Sequence, residues 1–340
     1  MAKQKRTAGW SFESVVNDSR KALRDVFRLS PQIEYFKSDV GRRSPQSQGS
    51  LIAGSIGVER QCELNDLLAR GNVTDDVWHR LHVIWRYDAY GFYLYIERLE
   101  QLLREYPEKP RGQPRIGLIT DFWAAECLMT MALSAVLGED QAADWLGRKC
   151  LGHFLNAPWY VTPEAYSPGP VAPFLLKLYG MWCDIPVDLA ARGVTLLPLY
   201  QDIFDEWDHP EHLENAVLKL CEMHVRAALN RETDEESSIV GLKAGIHREL
   251  PTEVLLIQRI RCDRGLSVPN PDHPMLRSPL AQMPYPCPKS GYDPWIAESM
   301  ETVRRKNLPD LRIEWEEQFQ AAGPTDPRRL PETDYIVQEF

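Results

Sequence analysis

Nothing in these 340 residues supplies a ready-made chemistry. There is no G-x-x-x-x-G-K-[ST] and no G-x-G-x-x-G, so no glycine-rich loop is offered to a nucleotide phosphate. The seven cysteines (62, 127, 150, 183, 221, 262 and 287) are odd in number, and none forms the C-x-x-C pair of a zinc ribbon or a thioredoxin-like centre. Cys127 and Cys150 fall among apolar residues, the usual setting of reduced, buried thiols. The longest uncharged apolar run near the centre, Cys127–Gly138, has twelve residues, too few to cross a bilayer. The start, MAKQKRTAGWSFES, is basic but has no apolar h-region of a secretory signal. The expectation is a soluble, cytoplasmic protein without a membrane partner. Alternating strand patterns and β-hairpin dipeptides are missing as well, which removes most β folds.

Charge is present but uneven. The formal net charge is −10, yet residues 1–50 hold ten Lys/Arg against five Asp/Glu, so the remainder carries −15. A nucleic-acid binder shows the opposite balance, so no nucleic-acid partner is expected. An acidic body suits a basic protein partner.

What the sequence does contain is helical periodicity. The organising stretch is RIGLITDFWAAECLMTMALSAVLGEDQAADWLGRKCLGHFL, residues 115–155, which reads as two helices broken at Gly138. From Ile116 to Leu137 the only charges are Asp121 and Glu126. A helix apolar on nearly every side must be wrapped by others. The fold class expected is all-α, a helical bundle or stacked helical hairpins around this buried central helix.

Around it the pattern predicts helices over Ser11–Leu29, Glu59–Ala69, the long stretch from Thr74 to about 106, Phe174–Cys183, Thr195–Trp207, Glu211–Leu229 and Thr252–Arg264, with two more near 295–306 and 310–321. Thr195–Trp207 and Glu211–Leu229 are expected to form a pair around Asp208–Pro210. Three segments follow: an N-terminal helix and basic linker over 1–58, an all-α domain over 59–322, and a tail over 323–340.

Each candidate chemistry has a plainer structural use beside it. His79 and His82 stand three residues apart on the long helix after Asp75, and His209 and His212 stand beside Asp205 and Asp208. Either pair offers imidazoles at metal-ligand spacing, the basis of an alternative reading as an α-helical metal-dependent enzyme. A third is a helical scaffold or adaptor. No second carboxylate helix accompanies the histidines, so neither a metal nor a cofactor is expected. Ala53-Gly54-Ser55-Ile56-Gly57 lacks the first glycine and the preceding strand of a nucleophile elbow. Asp121 and Glu126, inside the apolar helix, could be perturbed catalytic carboxylates, but pairing with arginines of the long helix, such as Arg86 or Arg98, is the expected use.

The most distinctive feature is acidic. Asp202, Asp205, Glu206, Asp208, Glu211 and Glu214 fall within thirteen residues that contain no Lys or Arg. Glu232, Asp234, Glu235 and Glu236 form a second cluster. Like charges this close repel unless something offsets them. The structural use is a solvated helix N-terminus, and the functional one is a docking surface for a basic partner. Tyr87, Tyr90 and Trp207 are candidate aromatic anchors for it, although aromatics at helical spacing are more often core.

Four stretches together carry a resemblance: YDAYGFYLYIERLEQLL (87–103), DFWAAECLMTMALSAVLGED (121–140), LYGMWC (178–183) and GIHRELPTEVLLIQRIRCDRGLSVPNPDHPMLRSPLAQMP (245–284). In helix pattern and aromatic placement they resemble bacterial immunity proteins that neutralise polymorphic or type VI secreted toxins, nearest to the PoNi-like group that counters PoNe DNase toxins. Met181 and Ile185 stand where that group's G-Y-W-x-x-E signature carries Tyr and Glu. The resemblance implies a helical protein with no turnover and no cofactor, which binds one cognate toxin and occludes its active site. Its acidic clusters would then face a basic nuclease surface.

Overall fold

The computed structural model describes residues 11–26, 58–71, 75–105, 124–156, 171–228 and 245–289. Within them the chain is all-α, with nine α-helices and no strand. The helices are α1 (Phe12–Val26), α2 (Val58–Ala69), α3 (Asp75–Glu105), α4 (Ala124–Leu137), α5 (Asp140–Asn156), α6 (Val171–Trp182), α7 (Pro198–Asp205), α8 (Pro210–Ala228) and α9 (Thr252–Asp263). Short 3₁₀ turns lie at Ala190–Arg192, Gly245–Arg248 and Leu280–Gln282. The expected helices near 295–306 and 310–321, the acidic turn 231–237, the Ala53–Gly57 segment, Asp121 and the tail lie outside the described residues.

The centre is α4. Every one of its side chains except Glu126 is buried, and α3, α5, α6 and α9 all pack on it. It divides two cores. Cys127, Leu128, Met131, Ala132 and Ala135 join the larger one, with α6, α7, α8 and α9. Leu133 and Leu137 turn to the smaller one, with Val16 of α1, Leu64 and Leu68 of α2, and Val77, Leu81 and Trp85 of α3. A helix with a core on each side has no use for a polar face.

Its polar side chains are satisfied internally. The Thr130 hydroxyl donates to the Glu126 carbonyl at 3.0 Å, and the Ser134 hydroxyl donates to the Thr130 carbonyl at 2.7 Å. Ser134 Oγ also accepts the Trp85 indole N–H at 2.7 Å, which pins α3 to α4. Glu126 is half-buried, and burial raises its pKa while a backbone N–H works the other way. Asp121 and the side chain of Arg98, two of the residues named for the expected pairing, lie outside what the structure describes.

Gly138 ends α4 as expected, at φ 84°. Its N–H donates to the Ala135 carbonyl and that of Glu139 to the Ser134 carbonyl, a Schellman cap. A Cβ at Gly138 would also lie 2.8 Å from Pro286 Cβ. The chain returns here from the far end of the described region. The Cys287 N–H donates to the Leu137 carbonyl at 3.0 Å, and Lys289 Nζ reaches Glu139 at 3.0 Å. Arg259 of α9 closes the same corner. It donates to the Ala135 carbonyl at 3.2 Å, pairs with Asp140 at 3.1 Å and Asp263 at 2.7 Å, and lies 4.0 Å over the Tyr285 ring.

The aromatic-glycine-aromatic segment of α6 is a packing device. The buried Tyr179 hydroxyl donates to Asp144 of α5 at 2.9 Å, and the Trp182 indole donates to Asp263 at 3.3 Å. Between them, a Cβ on Gly180 would sit 2.7 Å from the Ile185 carbonyl oxygen and 2.4 Å from Val187 Cγ2. The backbone that would have to yield is itself held, since the Ile185 N–H donates to the Gly180 carbonyl at 2.7 Å. Gly180→Ala is expected to cost about 1–3 kcal/mol of stability by overpacking. Urea unfolding checks this, and a midpoint equal to that of the parent would contradict it.

Candidate functional site

The acidic stretch forms the corner between α7 and α8, which pack on each other. Both helices begin with proline at the first helical position, where its missing N–H costs nothing and its φ suits the helix. That is why α7 starts at Pro198 rather than Thr195, and α8 at Pro210 rather than Glu211. Tyr200 and Ile203 bury one side of α7, with Tyr200 stacked on Phe174 at 4.2 Å. The acids take the other side. Asp205, Asp208, Glu211 and Glu214 are exposed, while Asp202 and Glu206 are half-buried. Asp234, Glu235 and Glu236 lie outside the described residues.

Three features offset the repulsion among these charges. Glu211 occupies the first turn of α8, near the positive end of the helix dipole. Lys219 approaches Asp202 at 3.8 Å, and His212 Nδ1 lies 3.0 Å from Glu206 Oε2. Exposed pairs of this kind contribute at most about 1 kcal/mol. The third feature is buried. Arg261 of α9 donates to the Trp207 carbonyl and lies 5.2 Å from the Trp207 ring, with the charge of Asp208 acting on it. The corner is therefore held from beneath by a cation that the local sequence does not contain. The outward carboxylates of Asp205, Asp208, Glu211 and Glu214 stay available to solvent.

The aromatic residues expected as anchors are not on this surface. Tyr87, Tyr90 and Trp207 are all buried and belong to the packed interior. Their spacing on helices reflects core packing, which sequence periodicity alone does not distinguish from a binding face.

The histidine pairs also part company. His79 is exposed, whereas His82 is fully buried, tilted against Trp85 at 4.9 Å, with Nε2 2.9 Å from Glu139 Oε1. Burial opposes the charge of Glu139, but His82 and Lys289 outweigh it and hold the carboxyl below its usual range. His82 thus ties α3 to the Gly138 corner. His209 and His212 are exposed with ring centroids 6.0 Å apart. Among the described residues no group of three or more His, Cys, Asp or Glu side chains is placed to hold a metal ion.

A buried polar junction escaped the sequence reading. His224 of α8 and Glu253 of α9 are both fully buried, 2.6 Å apart. His247 Nδ1 lies 3.0 Å from Thr252 Oγ1, and His224 acts electrostatically on both His247 and the buried His273. Two residues along the same turn, the buried Glu249 accepts amide hydrogen bonds from Gln61 at 3.2 Å and Asn65 at 3.1 Å, joining α2 to the carboxyl-terminal half. No spacing rule connects His224 to Glu253, and GIHRELPTE carried only the family resemblance.

Compared with known proteins, the chain matches no family model, no curated protein and no solved structure.

The junction holds two opposed proton linkages. Burial, helped by His224, pushes His247 down to about 3, so it stays neutral in the fold. Its contribution is complete above the usual imidazole pKa and is lost as pH falls below it. Burial pushes Glu249 up to about 7, against the pull of its hydrogen bonds. Its contribution is complete below the usual carboxyl pKa and is lost as pH rises through about 7. Glu249→Gln removes the carboxyl linkage from the junction. Its stability is expected to climb between about pH 5 and pH 6.5 by roughly 1.4 kcal/mol per pH unit more than that of the parent. Urea unfolding across that range measures the difference, and parallel curves for the two proteins would contradict it.

Proposed function

We propose that this chain is an immunity protein that binds a cognate basic toxin and neutralises it by covering its active site or substrate channel. The observation that carries the reading is the α7–α8 corner, with four outward carboxylates on a turn braced from beneath by a buried arginine. A braced acidic turn offers a basic enzyme surface the charge pattern of the phosphates it ordinarily meets. Electrostatic complementarity of this kind speeds encounter and excludes wrong partners. The function needs occupancy and no turnover. The resemblance of residues 87–103, 121–140, 178–183 and 245–284 to toxin-immunity proteins points the same way, and a nuclease is the toxin class it suggests. No helix of the described residues is long and apolar enough to cross a membrane, which accords with a partner met in solution.

The reading requires a gene for a secreted basic toxin beside the gene for this chain, and that toxin is the partner to use. Reversing Asp205, Asp208 and Glu211 to Lys is expected to slow association by on the order of tenfold or more at low ionic strength. The difference should shrink as salt is raised. Stopped-flow association of the parent and the triple variant checks this. Equal rates at low salt would remove the corner from the interface.

A further inference from the structure

We propose that the loop following α9 is a preformed apolar anchor beside the acidic corner, with Leu266 and Val268 as the side chains that enter an apolar pocket on a partner whose rim is basic. This rests on the reading of the chain as a binder of a basic toxin and names the contacts that would hold the complex.

Among the described residues four large apolar side chains stand well exposed: Leu155 at 44%, Leu266 at 38%, Val268 at 41% and Tyr285 at 53%. Single exposed aliphatics are ordinary. Leu266 and Val268, however, lie two positions apart on one loop, and the loop has no slack. The Leu266 N–H donates to the Arg261 carbonyl at 2.8 Å, and the Gly265 N–H donates to that of Cys262 at 3.0 Å. Arg261 Nε donates to the Ser267 carbonyl at 2.6 Å, and Gln258 Nε2 donates to that of Pro269 at 2.8 Å. Pro269 and Pro271 are buried on the inner side. In a Schellman cap the residue at the Leu266 position ordinarily packs back on its own helix. Here the facing position of α9 is Arg261, whose guanidinium turns inward. The two aliphatics are thus presented on a fixed backbone, so a partner meets little ordering cost in using them.

The same guanidinium places the loop against the acidic corner. Arg261 donates to both the Ser267 and the Trp207 carbonyls, so residues 266–268 adjoin the turn that carries Asp208. An apolar centre beside an acidic rim is complementary to an apolar pocket with a basic rim. The charges then govern encounter, and the aliphatics, once desolvated, govern release.

The test measures association and dissociation rates between the full chain and the secreted toxin encoded beside its gene. Leu266→Ser combined with Val268→Ser is expected to raise koff by on the order of tenfold, with kon and its salt dependence little changed. Leu155→Ser, which removes an equally exposed leucine at the end of α5, should leave koff unaltered. Val268→Thr keeps the side-chain shape and should raise koff in the same direction, which separates lost apolar contact from a disturbed loop. An unchanged koff in the double variant overturns the anchor, and if charge reversal still slows association the toxin-binding reading survives. A toxin that fails to bind the unaltered chain overturns both.

Discussion

A helix that is apolar around its whole circumference can exist in water only if other elements close over every side of it. That constraint falls on α4. With a core on each flank, α4 gathers α1, α2 and the first half of α3 on one side, and the second half of α3 with α6 through α9 on the other. Its few polar atoms are turned back onto its own carbonyls or onto the Trp85 indole, so enclosure leaves none of these hydroxyls stranded.

The corner at Gly138 shows how enclosure is completed. Pro286, Cys287 and Lys289 fold over it, and Arg259 clamps α9 to the end of α4 and the start of α5. The next arginine on that helix, Arg261, reaches in a different direction and braces the α7–α8 corner together with the 266–268 loop. One helix therefore connects the buried centre to the surface proposed for recognition. A rigid support is what a recognition surface needs if little is to be ordered on binding.

Much of this was legible in the sequence because it is local. The break at Gly138, the buried helix before it and the long helix α3 all follow from period, apolar density and a glycine at a cap. Boundaries shifted where proline took the first helical position, at Pro198 and Pro210, and where Pro173 sits inside the first turn of α6. The acidic corner was visible as composition, but its brace was not, because Arg261 lies more than fifty positions away from Trp207. For a related reason helical spacing leaves Tyr87, Tyr90 and Trp207 open between anchor and core, and the structure places all three in the core. A tryptophan among six carboxylates looks like an interface residue until Arg261 of α9 is seen against it. The His224–Glu253 junction depends wholly on which helices meet, and sequence spacing carries no trace of that.

The central claim is that a closed helical scaffold serves to hold an acidic corner against a basic toxin. Growth of cells expressing the neighbouring toxin tests it most directly, with and without the full chain expressed alongside. The account predicts that the chain restores growth and that a variant with Asp205, Asp208 and Glu211 changed to Lys restores it less well at equal protein levels. Cells that remain poisoned in the presence of abundant, folded parent chain would contradict it.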